Sequence, residues 1–333
     1  MPKTMLFKML PLFLSSAFAI PVIVIFSPHW LSMLKSSALQ HMKTIFMGLF
    51  LEALPFMLAG VLLSSLVLLF VSEEWVRRLM PSNPFAGVLF AILLGILLPI
   101  CECGLIPVVR RLMRKGMPAH IAITFILSGP IINPIVLAAT VMAFPDQPGI
   151  VAARFGLACA VALITGLLVC VFVKSDPLKR SLQHCSAHGH EASKHRHQRT
   201  WTSFFVHTGD ELIDMGKYLI IGCLLTAAIQ SFIQHDDLLA MGSGPLLSYG
   251  FMMGFAYVLS LCSTSDAFVA SAFVHSFAVG PLVSFLVLGP MLDFKGTLMM
   301  LSTFRLRFVI GIGALIILLV FAGSVIVNGI VQF

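Results

Sequence analysis

Apolar runs at about 45–71, 150–173 and 308–331, each longer than twenty residues, most constrain what this chain can fold into. About 20 residues of helix, rising 1.5 Å each, cross the roughly 30 Å hydrocarbon core of a bilayer. Apolar segments at 117–144, 206–232, 245–261 and 280–302 point the same way. Charged residues make up 11% of the 333 and hydrophobic residues 59%, whereas soluble domains carry about 25% charge. Mean hydropathy is +1.01. The period-2 alternation of barrel strands is missing. The chain therefore reads as an all-α polytopic membrane protein with the lipid bilayer as its surroundings.

Within that frame the formal charge of +7 reads as basic cytoplasmic loops, not as a nucleic-acid surface. Seven cysteines, an odd number lying mostly in apolar segments, are no disulfide framework. Cys159, Cys170 and Cys223 read as small packing residues. Residues 9–27 follow Lys3 and Lys8 and contain Ser-Ser-Ala-Phe-Ala, which resembles a cleavage site. The apolar run continues to Phe26, so an uncleaved first span is the preferred reading. Residues 72–80 read as an interfacial amphipathic helix anchored by Trp75.

The apolar segments are broken in four places. The run 85–100 stops at Pro-Ile-Cys-Glu-Cys-Gly, placing Cys101, Glu102, Cys103 and Gly104 at its end. An ionisable group there is expensive, and a functional site is the default reading. The second break is Gly129-Pro130-Ile131-Ile132-Asn133-Pro134, the third Cys262-Ser263-Thr264-Ser265-Asp266, the fourth Gly289-Pro290-Met291-Leu292-Asp293, with Lys295 just beyond. Proline inside a span frees backbone carbonyls, which can then serve a solute.

These breaks repeat. Cys101 precedes Pro130 by about as many residues as Cys262 precedes Pro290, and Gly-Pro-Ile-Ile-Asn matches Gly-Pro-Met-Leu-Asp. Glu52 and Glu211 stand at matching distances ahead of Cys101 and Cys262. Four parts follow: an N-terminal transmembrane helix and linker (1–43), a first repeat (44–174), a His-rich loop (175–205) and a second repeat (206–333). With the cysteine segments dipping in and returning, or crossing fully as two short helices, each repeat crosses an odd number of times and the halves are inverted. The pieces 1–8, 72–83, 109–116, 174–203 and 303–307 then fall in the cytoplasm and hold most of the Lys and Arg. Inverted repeats with broken helices mark secondary transporters whose site lies where the breaks face each other. Glu102, Asn133, Asp266 and Asp293 are expected to line that cavity, and Lys295 to pair with an acid or attract an anion.

Pro-Ile-Cys-Glu-Cys-Gly, Ser-Gly-Pro-Ile-Ile-Asn-Pro and Leu-Cys-Ser-Thr-Ser-Asp-Ala-Phe resemble the bacterial predicted-permease family that includes the YraQ-like proteins and the organoarsenical efflux permeases. The resemblance covers about residues 40–331 and implies a multi-pass inner-membrane permease. It does not imply a substrate.

Thiolates suit soft metals and trivalent metalloids. Cys101, Cys103 and Cys262 are expected to bind such a cargo on its way out, with Glu102 or Asp266 carrying a proton; a small-molecule species is the other cargo that the midplane site admits. In the loop, His184, Cys185, His188, His190, His195 and His197 form a compositional metal-binding tract, or else a solvated basic tether. No cofactor is expected. No phosphate-cradling loop is present in the sequence, so the energy source is an ion gradient or a separate partner subunit. The competing classes are an intramembrane thiol enzyme and a membrane subunit without transport of its own.

Overall fold

The computed structural model describes residues 37–81, 83–98, 100–173, 177–178, 201–232 and 246–330. The expected first span and the six His-rich loop residues lie outside them. The described residues are almost entirely helical, and their one β feature is an isolated bridge between Leu178 and Phe304. The first half holds α1 (Ser37–Phe70), the short α2 (Glu73–Leu79), α3 (Pro84–Leu97), α4 (Glu102–Arg114), α5 (Ala119–Ser128), α6 (Pro134–Ala143) and α7 (Pro148–Phe172). The second holds α8 (Trp201–Phe232), α9 (Leu247–Leu259), α10 (Ser265–Ser271), α11 (Val279–Met291), α12 (Phe294–Thr303) and α13 (Leu306–Ile330).

The helix boundaries follow local chemistry. Ser72 caps α2 by accepting from Trp75 N at 3.2 Å. Pro84, Pro134 and Pro148 occupy first helical positions, where a missing N–H costs nothing. At the second and fourth breaks the two halves use the same device. Asn133 Oδ1 accepts from Val136 N at 2.9 Å to start α6, and Asp293 Oδ1 accepts from Gly296 N at 2.7 Å to start α12.

Close approaches fix the helix directions. A Cβ on Gly87 would meet His120 and Ile121 at the start of α5, and one on Gly95 would meet Ser128 and Gly129 at its end. Helices α3 and α5 therefore run parallel. Since α4 leads into α5 through a short turn, it must return to the face where α3 began. The segment α3–α4 is thus a re-entrant hairpin, with the Cys101 break at its tip. In the second half Gly280 lies against Tyr249 and Gly289 against Ala256, so α9 and α11 are parallel and α9–α10 is likewise a hairpin.

One face collects the end of α1, whose Val67 and Val71 carbonyls accept from Lys115 Nζ, together with α2, the start of α3 and the end of α4. Arg305 N donates to Pro177 O at 3.1 Å and brings the end of α12 to the same face. Arg78, Arg111, Arg114, Lys115, Arg305 and Arg307 all belong to it, and we call it the basic face. The opposite face carries the turn with Asp146, the exposed His275, and the start of α11, where Gly280 N donates to Asn328 Oδ1 at 3.0 Å. The first hairpin enters from the basic face and the second from the opposite face. That arrangement is compatible with inverted halves.

Among the described residues, five stretches are long and apolar enough to cross a membrane, and one of them, Val279–Thr303, spans α11 and α12. It is 83% buried while the other four are 28–39% buried, so the broken helix of the second half is central and the unbroken spans face lipid. Helix α1 packs along α8 and along α4. Against α4 the backbones touch, and a Cβ on Gly60 would collide with the backbone of Gly104.

Candidate functional site

A buried cleft lies where the hairpin tips meet the broken spans. Helix α1 supplies Glu52, Ala53 and Phe56, and the first tip supplies Cys101, Glu102 and Cys103. Pro130 comes from the second break, Cys262 and Ser263 from the third, and Lys295 from the first turn beyond the fourth. The cavity measures about 10 Å³, room for about one water molecule. In this conformation the cleft is too small to hold more than a solute of about that size.

Lys295 is the central cation of the cleft. Its Nζ lies 3.7 Å from Glu102 Oε1 and 3.9 Å from Asp293 Oδ2. Both distances exceed hydrogen-bond range, so the pairing is loose. The ammonium donates instead to Ser260 O at 3.2 Å. Asp293 Oδ2 is buried without a hydrogen-bond partner. Two carboxyls, one ammonium and slack geometry make a cluster that can rearrange.

Ser260 ends α9 in the left-handed region, φ 48°, which is unusual for a residue with a side chain. That conformation lets Ser260 Oγ accept from Phe294 N at 3.2 Å and Lys295 N at 3.4 Å while its carbonyl accepts from Lys295 Nζ. A strained residue thus joins the tip of the second hairpin to the start of α12.

The structure sorts the expected residues into distinct places. Cys101, Glu102, Cys103, Pro130, Cys262, Ser263 and Lys295 share the cleft. Gly104 packs its backbone on α1, Gly129 caps α5 and Pro134 opens α6. Gly289 and Pro290 are buried in the last turn of α11. Of the four residues expected to line the cavity, Glu102 does so and Asn133, Asp266 and Asp293 do not. Asn133 is occupied as a cap, its Nδ2 donating to Gly129 O at 3.1 Å. Asp293 is also a cap, with its second oxygen turned to Lys295.

Asp266 is held by Arg154, a residue that the sequence reading passed over. Arg154 Nη2 lies 2.9 and 3.0 Å from the two Asp266 oxygens and donates to Ser263 O at 2.9 Å. Its Nη1 donates to Thr140 Oγ1 at 2.8 Å. The Arg154 side chain is fully buried. The signal was available: Arg154 is the one charged residue in the apolar run 150–173, and a charge there calls for a partner. A second ion pair joins the halves near the basic face. Arg111 Nε lies 3.2 Å from Glu211 Oε2, which also accepts from Ser64 Oγ at 2.9 Å.

The cysteines Cys101, Cys103 and Cys262 are free thiols. Among the described residues, no three His, Cys, Asp or Glu side chains converge closely enough to hold a metal ion. The three thiols share a cleft but do not form a three-sulfur site in this conformation.

A family model described as a predicted permease matches residues 38–329. The chain belongs to the predicted permease family. It is 44% identical over 295 residues to UPF0718 protein YcgR of Bacillus subtilis (strain 168), covering 89% of this chain and 99% of that protein. It is 37% identical over 292 residues to a Streptococcus mutans (serotype c, strain ATCC 700610 / UA159) protein named as a candidate two-component membrane permease complex subunit, covering 86% of this chain and 95% of that protein. UPF0718 protein YraQ of Escherichia coli (strain K12) is 27% identical over 118 residues, 35% of this chain and 34% of that protein. No solved structure matches. As a member of this family the chain is a multi-pass membrane protein.

Proposed function

We propose that this permease is a secondary transporter of the inner membrane that exports a small soft species, a metal or metalloid, through the cleft between its two halves. The observation that carries the reading is that residues of three helix breaks, together with Lys295 from the turn just beyond the fourth, line one small cleft between the halves. Cys101, Cys103 and Cys262 supply soft donors from both halves. They would bind the cargo together once the hairpin tips approach each other. Glu102, lining the cleft between the two thiols, would carry a proton, and Asp266, tied to Arg154, is the weaker candidate for that role. With the basic face in the cytoplasm, the positive-inside bias is obeyed. The name of the Streptococcus mutans relative favours a second subunit that works with the permease.

Lys295 on the cleft wall supports a second reading, an anionic solute held by the ammonium. One experiment separates the two. Cells making the protein or its Cys101→Ser/Cys103→Ser variant are grown with a panel of metals and arsenicals, and total-element mass spectrometry reads what they retain. Lower retention of one element, restored by the variant, identifies the soft cargo. Identical profiles would sink the thiol reading and turn the search to anions and to Lys295.

A further inference from the structure

Besides the loose Lys295–Glu102 pair in the cleft itself, two ion pairs among the described residues join the halves of the molecule, Arg154–Asp266 and Arg111–Glu211, and they sit on opposite sides of the cleft. Arg154 is six residues into α7 from the opposite face, about 9 Å at the rise of a helix. Glu211 lies eleven residues before Gly222 on α8, the glycine that packs on Lys295. That is about 16 Å from the cleft level toward the basic face. Each pair links a first-half arginine to a second-half carboxylate.

We propose that Arg154–Asp266 and Arg111–Glu211 are the two gates of the permease, and that Arg154 is also the positioning residue for the cleft wall. The proposal rests on the transport reading above and names the groups that would close each side. Arg154 is suited to both jobs because one guanidinium touches three segments. Its Nη1 holds Thr140 on α6, the half-helix that follows the second break. Its Nη2 holds Ser263 O and Asp266, fixing the turn that directly follows Cys262, and Cys262 and Ser263 both line the cleft. A guanidinium stays charged and presents its donors in a fixed planar fork, so it sets geometry as well as balancing charge. Arg154 Nε has no hydrogen-bond partner, so the grip is made by the fork alone.

The Arg111 pair closes the other side. Glu211 is 3% exposed in its side chain and takes Arg111 from α4 and Ser64 from α1, joining three helices at the basic face. Both pairs are formed in this structure and the cleft has room for only about one water, the combination expected of an occluded state. Solute entry from either face requires the pair on that face to part while the other stays shut.

The test reads cleft access without needing the cargo. Full-length protein in right-side-out and inverted membrane vesicles is treated with a membrane-impermeant maleimide. Site-resolved mass spectrometry follows Cys101 and Cys262, with Cys159 and Cys170 on α7 as internal standards. Arg154→Gln should speed alkylation of Cys262 several-fold from the opposite face only. Arg111→Gln should speed alkylation of the cleft cysteines from the basic face only. Arg154→Lys keeps the charge but cannot hold α6 and the Cys262 loop together, and should behave like Arg154→Gln. Wild-type behaviour of Arg154→Lys would overturn the positioning role. A rise from both faces, accompanied by Cys159 and Cys170, would mean general loosening and would overturn the gates, as would unchanged rates. A null element profile with one-sided labelling would instead leave the gates standing and remove the proposed cargo.

Discussion

A few buried charges, most of them partnered from elsewhere in the chain, line and flank the cleft of this permease. Lys295 balances Glu102 and Asp293 at long range, and removing it would strand both carboxyls. Lys295→Met is expected to destabilise the protein by about 3–5 kcal/mol. Adding Glu102→Gln should recover part of the loss, measured as unfolding free energy in mixed detergent micelles. Equal stability of the single and double variants would show that the two groups do not interact. Ser260 is a different case. Its hydroxyl accepts two backbone N–H groups at the start of α12, so Ser260→Ala should cost about 1–3 kcal/mol by leaving buried donors unpaired. Cys101, Glu102 and Cys103 stood out as a candidate site because a carboxyl between thiols ends an apolar run, and the three share the cleft. Ser260 was not, because a lone serine after a span carries no pattern and its backbone conformation is known only from the fold.

At the scale of the helices, α1 meets α4 backbone to backbone, made possible by glycines at Gly60 and Gly104. A Cβ on Gly104 would press on Phe56 O and on Ile100. Gly104→Ala should force the hairpin away from α1 at about 1–3 kcal/mol, seen as a lower thermal midpoint of the purified protein. A variant as stable as the wild type would show that α4 shifts freely on α1. The caps give a milder expectation. Asn133→Ala removes the α6 cap and should cost about 0.5–2 kcal/mol, whereas Asn133→Asp, which matches the cap of α12, should be tolerated better in the same measurement. The helix breaks were readable from Gly-Pro and Asn-Pro, but the direction of each half-helix was not. Re-entry of α3–α4 follows from which glycine faces which helix, a contact that no local period encodes.

For the molecule as a whole, the two-faced arrangement makes a topological prediction. Cysteines introduced at Arg305 and at Asp146 should be labelled by an impermeant reagent from opposite sides of the membrane, and one at His275 should follow Asp146. Labelling of His275→Cys with Arg305→Cys would mean that α9–α10 crosses the bilayer instead of returning. Placement of the basic face in the cytoplasm is checked in the same experiment by the side from which Arg305→Cys reacts.

By itself the sequence determined that the chain lives in a membrane, where its helices break, and that its two halves share a pattern of breaks. These are local properties: length and hydropathy of a run, proline and glycine within it, and the spacing of short motifs. Only the tertiary structure decided which charge meets which. Asp266 was expected in the cavity and is instead bound by Arg154, 112 residues away in the chain. Asn133 and Asp293 were read as cavity groups and are helix caps. A buried carboxyl needs a partner, but any cation or backbone donor meets that need, and the choice among them is made by packing.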